Sequence, residues 1–163
     1  LVLSLKGRYA IKGDGSHNMP DGEIFFAPIE TSANGKITYT YPAIYSGREV
    51  DGIVLEFVDG KIINAKAEKN NEFLQQILNT DKGARYLGEF GIGTNTGIKK
   101  YIKNILFDEK IAGTVHLAVG MAYEECGGKN KSAIHWDMIK DLRKNGAIYI
   151  NDKLIQKNGK WCF

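Results

Sequence analysis

Apolar runs closed by Gly, Pro, Asn or Asp recur along the chain. "IFFAPI" (24 to 29), "KITYTYPAIY" (36 to 45), "GIVLEFV" (52 to 58) and "KIINAKAE" (61 to 68) carry β-branched and aromatic residues, often alternating with polar ones. That is the period of a half-buried strand, and the composition suits one. Asp59-Gly60 joins two of these runs, and both positions of a type I′ turn need positive φ, so the pair predicts a hairpin from about 52 to 68. The opening "LVLSLKGRYAIKG" reads as starting inside a strand. Further on, "GTVHLAVG", "SAIHWDMI", "GAIYIN" and "KLIQKNGKW" return to strand-like composition, with Asn151-Asp152 as another hairpin turn.

Two segments break the alternation. In "NNEFLQQILNTDKGA" the residues Phe73, Leu74, Ile77 and Leu78 fall on one helical stripe, with Lys82-Gly83 beyond its end, which predicts a helix near 70 to 79. In "TGIKKYIKNILFDEK" Ile98, Ile102 and Leu106 recur every four residues and predict a second, shorter helix. With no internal repeat, low-complexity tract or linker, the expected architecture is one α+β domain over residues 1–163: β-rich and mixed, with antiparallel hairpins and a few short helices.

Composition narrows the class. A chain of 163 residues, 43% hydrophobic and 25% charged, is long enough for a sizeable core and ordinary for a globular protein. No apolar run approaches the ~20 residues of a spanning helix, and the N-terminal stretch lacks a signal-peptide pattern, so the expected location is cytoplasmic, away from membranes. The absence of an initiator Met suggests that the sequence is part of a longer protein. A net charge of +3, with Lys scattered among acids, gives little support for a nucleic-acid partner. Cys126 and Cys162 are far apart, which argues against both a disulfide framework and a thiolate zinc site.

The chemistry-bearing residues sit in apolar surroundings. His135 and Asp137 are two apart in "SAIHWDMI", and residues i and i+2 of a strand share a face. A carboxylate buried there is costly unless a cation compensates it, although Asp137 could equally orient His135 or pair with a Lys. His116 lies in "GTVHLAVG". Glu23 follows the Pro-Asp-Gly turn and stands at the mouth of a strand, and Glu89 lies in "YLGEFGIGTN", ahead of a Gly-rich turn that allows close backbone approach. Glu23, Glu89, His116, His135 and Asp137 form an oxygen-and-imidazole set, the chemistry of zinc, cobalt or manganese at a hydrolytic centre. Five ligands exceed one open catalytic zinc and suit two divalent cations sharing a carboxylate and a water. His17, Glu124 and Glu125 are assigned to the surface.

"GRYAIKGDGSHNMPDGEIFFAPIETSANGKITY", "YLGEFGIGTN", "ILFDEKIAGTVHLAVGMAY" and "SAIHWDMI" resemble, in order, the motifs of the aminopeptidase T / aminopeptidase S family of dinuclear metallo-aminopeptidases. The resemblance covers nearly the whole chain but only the C-terminal, catalytic part of a family member. It implies metal ligation by Glu23, Glu89, His116, His135 and Asp137, and it places the family's tyrosine on Tyr123. It further implies release of N-terminal amino acids from peptides with a free N-terminus, and a homodimer; the chemistry of such a site makes Glu89 and Tyr123 the candidate catalytic pair. Glu89 would serve as proton acceptor, bridging ligand or both, and Tyr123 as donor to the developing oxyanion. Tyr123 packed on the core as one of eight tyrosines is the plainer alternative. Segments 36 to 58 are the expected interface strands. The competing readings are a non-catalytic β-rich binding or assembly module with a structural or relic metal site, and a basic single-strand-binding module resting on "KITYTYPAIY" alone.

Overall fold

The computed structural model describes residues 1–163. In chain order the first strands are β1 (Ile11–Gly13), β2 (Glu23–Phe26), β3 (Gly35–Thr38), β4 (Ala43–Tyr45) and β5 (Arg48–Val50). Next come β6 (Val54–Val58), β7 (Lys61–Lys66), helix α1 (Asn71–Leu78), β8 (Leu87–Gly93), the short helix α2 (Ile105–Asp108) and β9 (Thr114–Gly120). A 3-10 turn (Glu124–Cys126), β10 (His135–Asp141), β11 (Ala147–Ile150), β12 (Lys153–Lys157) and β13 (Lys160–Trp161) complete the chain. The architecture is thus strand-rich α+β with few short helices, as the apolar spacing predicts.

A five-stranded antiparallel sheet, in the order β1-β2-β8-β9-β10, forms the centre. Smaller sheets, β3-β6-β7, β4-β5 and β11-β12-β13, surround it. Because paired residues of an antiparallel ladder share a face, the register divides the sheet's side chains cleanly. Ile92, Val115, Leu117, Val119, Trp136 and Met138 point one way, into a core that also takes Leu74 and Leu78 from α1 and Leu55 and Phe57 from β6. Trp136 is 1% exposed, with the rings of Tyr45 and Phe73 against it at 5.5 and 6.5 Å between centroids. Each such side chain contributes about 1.5–3 kcal/mol by leaving water.

The other face carries Glu23, Glu89, His116, His135 and Asp137. Between them the register places Gly91, Gly93, Ala118 and Gly120, so the charged side chains converge over a floor of small residues. Strand β9 is buried on both sides throughout.

The hairpin of β6 and β7 turns at Asp59-Gly60 with φ of 47° and 82°, and that of β11 and β12 turns at Asn151-Asp152 with φ of 47° and 65°. Helix α1 falls inside the expected span. The run 36 to 45 is instead two strands, β3 and β4, broken around Pro42, which has no N–H to give a ladder. Between them the Thr40 N–H donates to the carbonyl of Ile139, which ties this segment to β10.

The second expected helix reduces to α2. Lys103 has φ of 64°, and the Asp108 carboxylate accepts from the backbone N–H groups of Ile102 and Asn104, so the chain is looped where a longer helix would run. Ile102 and Leu106 are exposed, and without a face to bury, their four-residue spacing has nothing to stabilise it. The opening residues contribute a single bridge, Val2 to Asn34, rather than a strand. Of the segments expected at an interface, Tyr39, Ala43, Val50, Ile53, Leu55 and Phe57 are spent on the core. No helix is long and apolar enough to cross a membrane.

Candidate metal centre

The centre is assembled by neighbouring strands. Glu23 opens β2, Glu89 sits in β8, His116 in β9, and His135 and Asp137 in β10. All five expected residues meet. His116 Nε2 lies 3.2 Å from Glu23 Oε2 and 3.1 Å from Glu89 Oε1. The other oxygen of Glu89, Oε2, lies 3.2 Å from His135 Nε2, which is 3.5 Å from Asp137 Oδ2. Glu89 therefore spans two imidazoles, one oxygen to each.

Glu89 was expected ahead of a Gly-rich turn, but it lies inside strand β8. The glycines serve a different purpose: a Cβ on Gly91 would fall 2.0 Å from His116 Nε2, so the imidazole occupies the space a side chain would take. His17, Glu124 and Glu125 are exposed, as expected.

Two residues absent from the sequence-based set join the centre. Glu109, at the end of α2, groups with Glu23 and His116, their ligand atoms within 4.8 Å of one another. Glu89, His135 and Asp137 form a second such group. Lys110 is 1% exposed, and its Nζ lies 3.2 Å from Glu23 Oε1 and donates to Glu109 Oε1. In "FDEK" both resemble an ordinary solvated helix end. The available signal was position: the pair precedes the ligand strand β9 by one short turn.

The electrostatics follow from burial of many like charges. Burial pushes the Glu109 carboxyl up to about 7, with the Asp137 and Glu23 carboxylates adding to the rise against the pull of His116 and Lys110. Burial likewise raises Asp137, to about 6, with the Glu89 carboxylate reinforcing it. Burial lowers the tendency of His135 to charge, but Glu89 and Asp137 outweigh it and hold the imidazole up at about 9. His116 is raised in the same way by Glu23 and Glu89. The facing carboxylates thus favour the charged form of both imidazoles.

The donor set fits divalent cations. His135 Nε2 and Asp137 Oδ1 are buried without hydrogen-bond partners, and His135 Nε2 is misaligned for a bond to Glu89 despite its proximity. Buried polar atoms are rarely left so. The Met121 carbonyl accepts from His135 Nδ1 at 2.8 Å, so the proton sits on Nδ1 and, in the neutral ring, the Nε2 lone pair faces the site. Carboxylate and imidazole donors without thiolate suit zinc, manganese or cobalt.

Tyr123, half-buried at the start of the 3-10 turn, lies with its ring 5.0 Å from that of His135 and 5.4 Å from that of Phe25. Burial and the nearby carboxylates raise its hydroxyl well above the usual range, so it stays protonated. A cavity of about 560 Å³ opens beside it. A second, of about 280 Å³, reaches Asp137, with Ala43, Ile44 and Ile139 on its apolar side and Lys103, Asn104 and Asp108 on its polar side.

Known proteins match this chain over nearly its whole length. The chain is 32% identical to aminopeptidase AmpS of Bacillus subtilis (strain 168) and 34% identical to aminopeptidase 2 of Geobacillus stearothermophilus, each over 90% of its own length. It is 36% identical to aminopeptidase T of Thermus thermophilus over 88%. In each case it spans about 40% of the relative's length. The solved structure of wild-type AmpT from Thermus thermophilus superposes with a TM-score of 0.76 at 28% identity, over 96% of this chain and 45% of that one. A 2,5-dihydroxypyridine dioxygenase from Pseudomonas putida KT2440 gives the same TM-score at 21% identity, over 98% of this chain and 50% of that one, and shares the fold alone. Residues 3–161 match the family described as Thermophilic metalloprotease (M29), and the chain belongs to that family.

Proposed function

We propose that residues 1–163 form a single metal-binding domain that carries the catalytic centre of a metal-dependent aminopeptidase, acting on peptides with a free N-terminus. The observation that carries this reading is Glu89: its two oxygens reach the imidazoles of two separate ligand groups, at 3.1 and 3.2 Å. In the proposal Glu23, Glu109 and His116 would hold one divalent cation and His135 and Asp137 a second, with Glu89 standing between the two groups. Zinc, cobalt and manganese all suit the donors. Such a pair supplies Lewis acidity toward a peptide carbonyl and toward water.

The remaining work falls to the protein's own groups. A Glu89 oxygen accepts a proton from the attacking water and returns it to the leaving amine. Tyr123 Oη, protonated at neutral pH, donates a hydrogen bond to the oxyanion as it develops. The cavity at Asp137, lined by apolar residues such as Ala43, Ile44 and Ile139 and by the polar Lys103, Asn104 and Asp108, is a candidate place for the N-terminal residue. The relatives' name, aminopeptidase, supports the substrate class. A homodimer is the proposed assembly, and regions of the longer relatives that lie outside this chain would complete its cleft.

Metal content and turnover test the reading together. Near two transition-metal ions per chain are expected, with an amino-acid anilide turned over by the loaded chain, inert after chelation and active again with cobalt or manganese. No metal uptake would sink the proposal. Uptake without turnover, in this chain and in its longest natural form, would leave a non-catalytic metal-binding module.

A further inference from the structure

Lys110 is an anomaly on energetic grounds. A lysine ammonium with a side chain 1% exposed has left water, which is costly unless the charge is paired with good geometry. Its two partners, Glu23 and Glu109, are both buried and both belong to the group around His116.

The atoms show what the ammonium does. Glu23 gives Oε1 to Lys110, 3.2 Å away, and turns Oε2 toward His116 Nε2, also 3.2 Å away. Glu109 gives Oε1 to the same ammonium and keeps Oε2 free. The Lys110 backbone is itself pinned: its N–H donates to Phe107 and its carbonyl accepts from Asn95, so the side chain enters the site from a fixed base.

We propose that Lys110 is a positioning residue for the metal site. Its ammonium takes one oxygen from each of Glu23 and Glu109, leaving each carboxylate a single oxygen for a cation. Ligation by both would then be monodentate, which would keep the coordination number low and a position open for water or substrate. The charge fits as well: Glu23, Glu89, Glu109 and Asp137 set four formal negative charges against one ammonium, leaving three, and two divalent cations bring the site close to neutrality. This inference rests on the metal-binding reading above.

The test is a cobalt(II) titration of the chain and of Lys110→Met and Lys110→Arg, followed by d–d absorption and by metal analysis. In Lys110→Met the freed second oxygens raise the ligand number, so the band at saturation is shifted and weaker than in the parent. Turnover of an anilide falls roughly 10–100-fold, with kcat rather than KM carrying the loss. Lys110→Arg, which keeps a cationic donor, retains the parental band shape. If circular dichroism shows Lys110→Met unfolded, Lys110→Gln is read against the same criterion. A Met or Gln variant with the parental cobalt spectrum overturns the positioning role alone, whereas no cobalt band in the parent overturns it together with the metal-binding reading.

Discussion

The imidazole of His116 lies directly over Gly91, its Nε2 standing 2.0 Å from where a Cβ on that residue would be. The pair is in register across β8 and β9, so neither backbone can slide to relieve a clash. Gly91→Ala must displace the ring away from Glu23 and Glu89. The expected cost is about 1–3 kcal/mol of stability, as for overpacking in a core. Metal affinity should fall by roughly 10-fold or more, since ligand orientation is lost. Thermal melting and calorimetric titration with zinc check both; parental affinity in the variant would show that the ring position is unimportant.

Glu89→Gln and His135→Ala are expected to abolish anilide turnover while leaving far-UV circular dichroism unchanged. Gln keeps the shape of Glu89 but gives up the charge that two imidazoles face. His135 is the more exposed of the two imidazoles, its side chain 18% accessible, so its removal should strain the core little. Metal analysis should show about one ion fewer in His135→Ala. Unchanged turnover in either variant would refute the assignment.

Tyr123→Phe separates oxyanion donation from packing. The aromatic contacts to Phe25 and His135 survive in Phe, and the hydroxyl alone is lost. Removal of one such donor lowers kcat by about 10²–10³-fold, with KM nearly unmoved. A variant with parental kcat would identify Tyr123 as a packing residue.

The metal-free chain should respond to pH in the opposite sense to the loaded one. His135 is held at about 9, above its unfolded value of 6.5, by Glu89 and Asp137. A raised folded value stabilises the protein fully below about 6.5, and the contribution disappears as pH climbs through about 9. Metal loading must expel the same proton, so affinity rises with pH across that window. Melting of the apo chain at pH 6 and pH 9.5, with and without zinc, measures both slopes. An apo chain whose stability is insensitive to that interval would contradict the imidazole–carboxylate pairing.

How much of this was legible in the chain depends on how far each cause reaches along the sequence. The pair His135 and Asp137 is local, and a period of two suffices to place both on one face. The turns at Asp59-Gly60 and Asn151-Asp152 follow from positive φ at adjacent positions, which is again local. Glu109 and Lys110 are different. Their partner Glu23 is nearly ninety positions away, and "FDEK" looks the same whether solvated or buried. The second helix failed for a related reason: Ile98, Ile102 and Leu106 have the right spacing, but no surface across the molecule buries Ile102 and Leu106. In "GTVHLAVG", by contrast, the alternation is visible once both faces are considered, with Val115, Leu117 and Val119 inward to the core and His116, Ala118 and Gly120 toward the site.

That last strand has a thermodynamic consequence. With hydrocarbon packed on one side of β9 and ligand atoms on the other, the same few peptide units serve cohesion and cation capture, and the two equilibria are linked. Saturating the imidazole side at a hundred times Kd would raise the melting resistance of the hydrocarbon side by about 2.7 kcal/mol. Conversely, a void opened beneath Leu117 would be transmitted through one strand's thickness to the ring of His116.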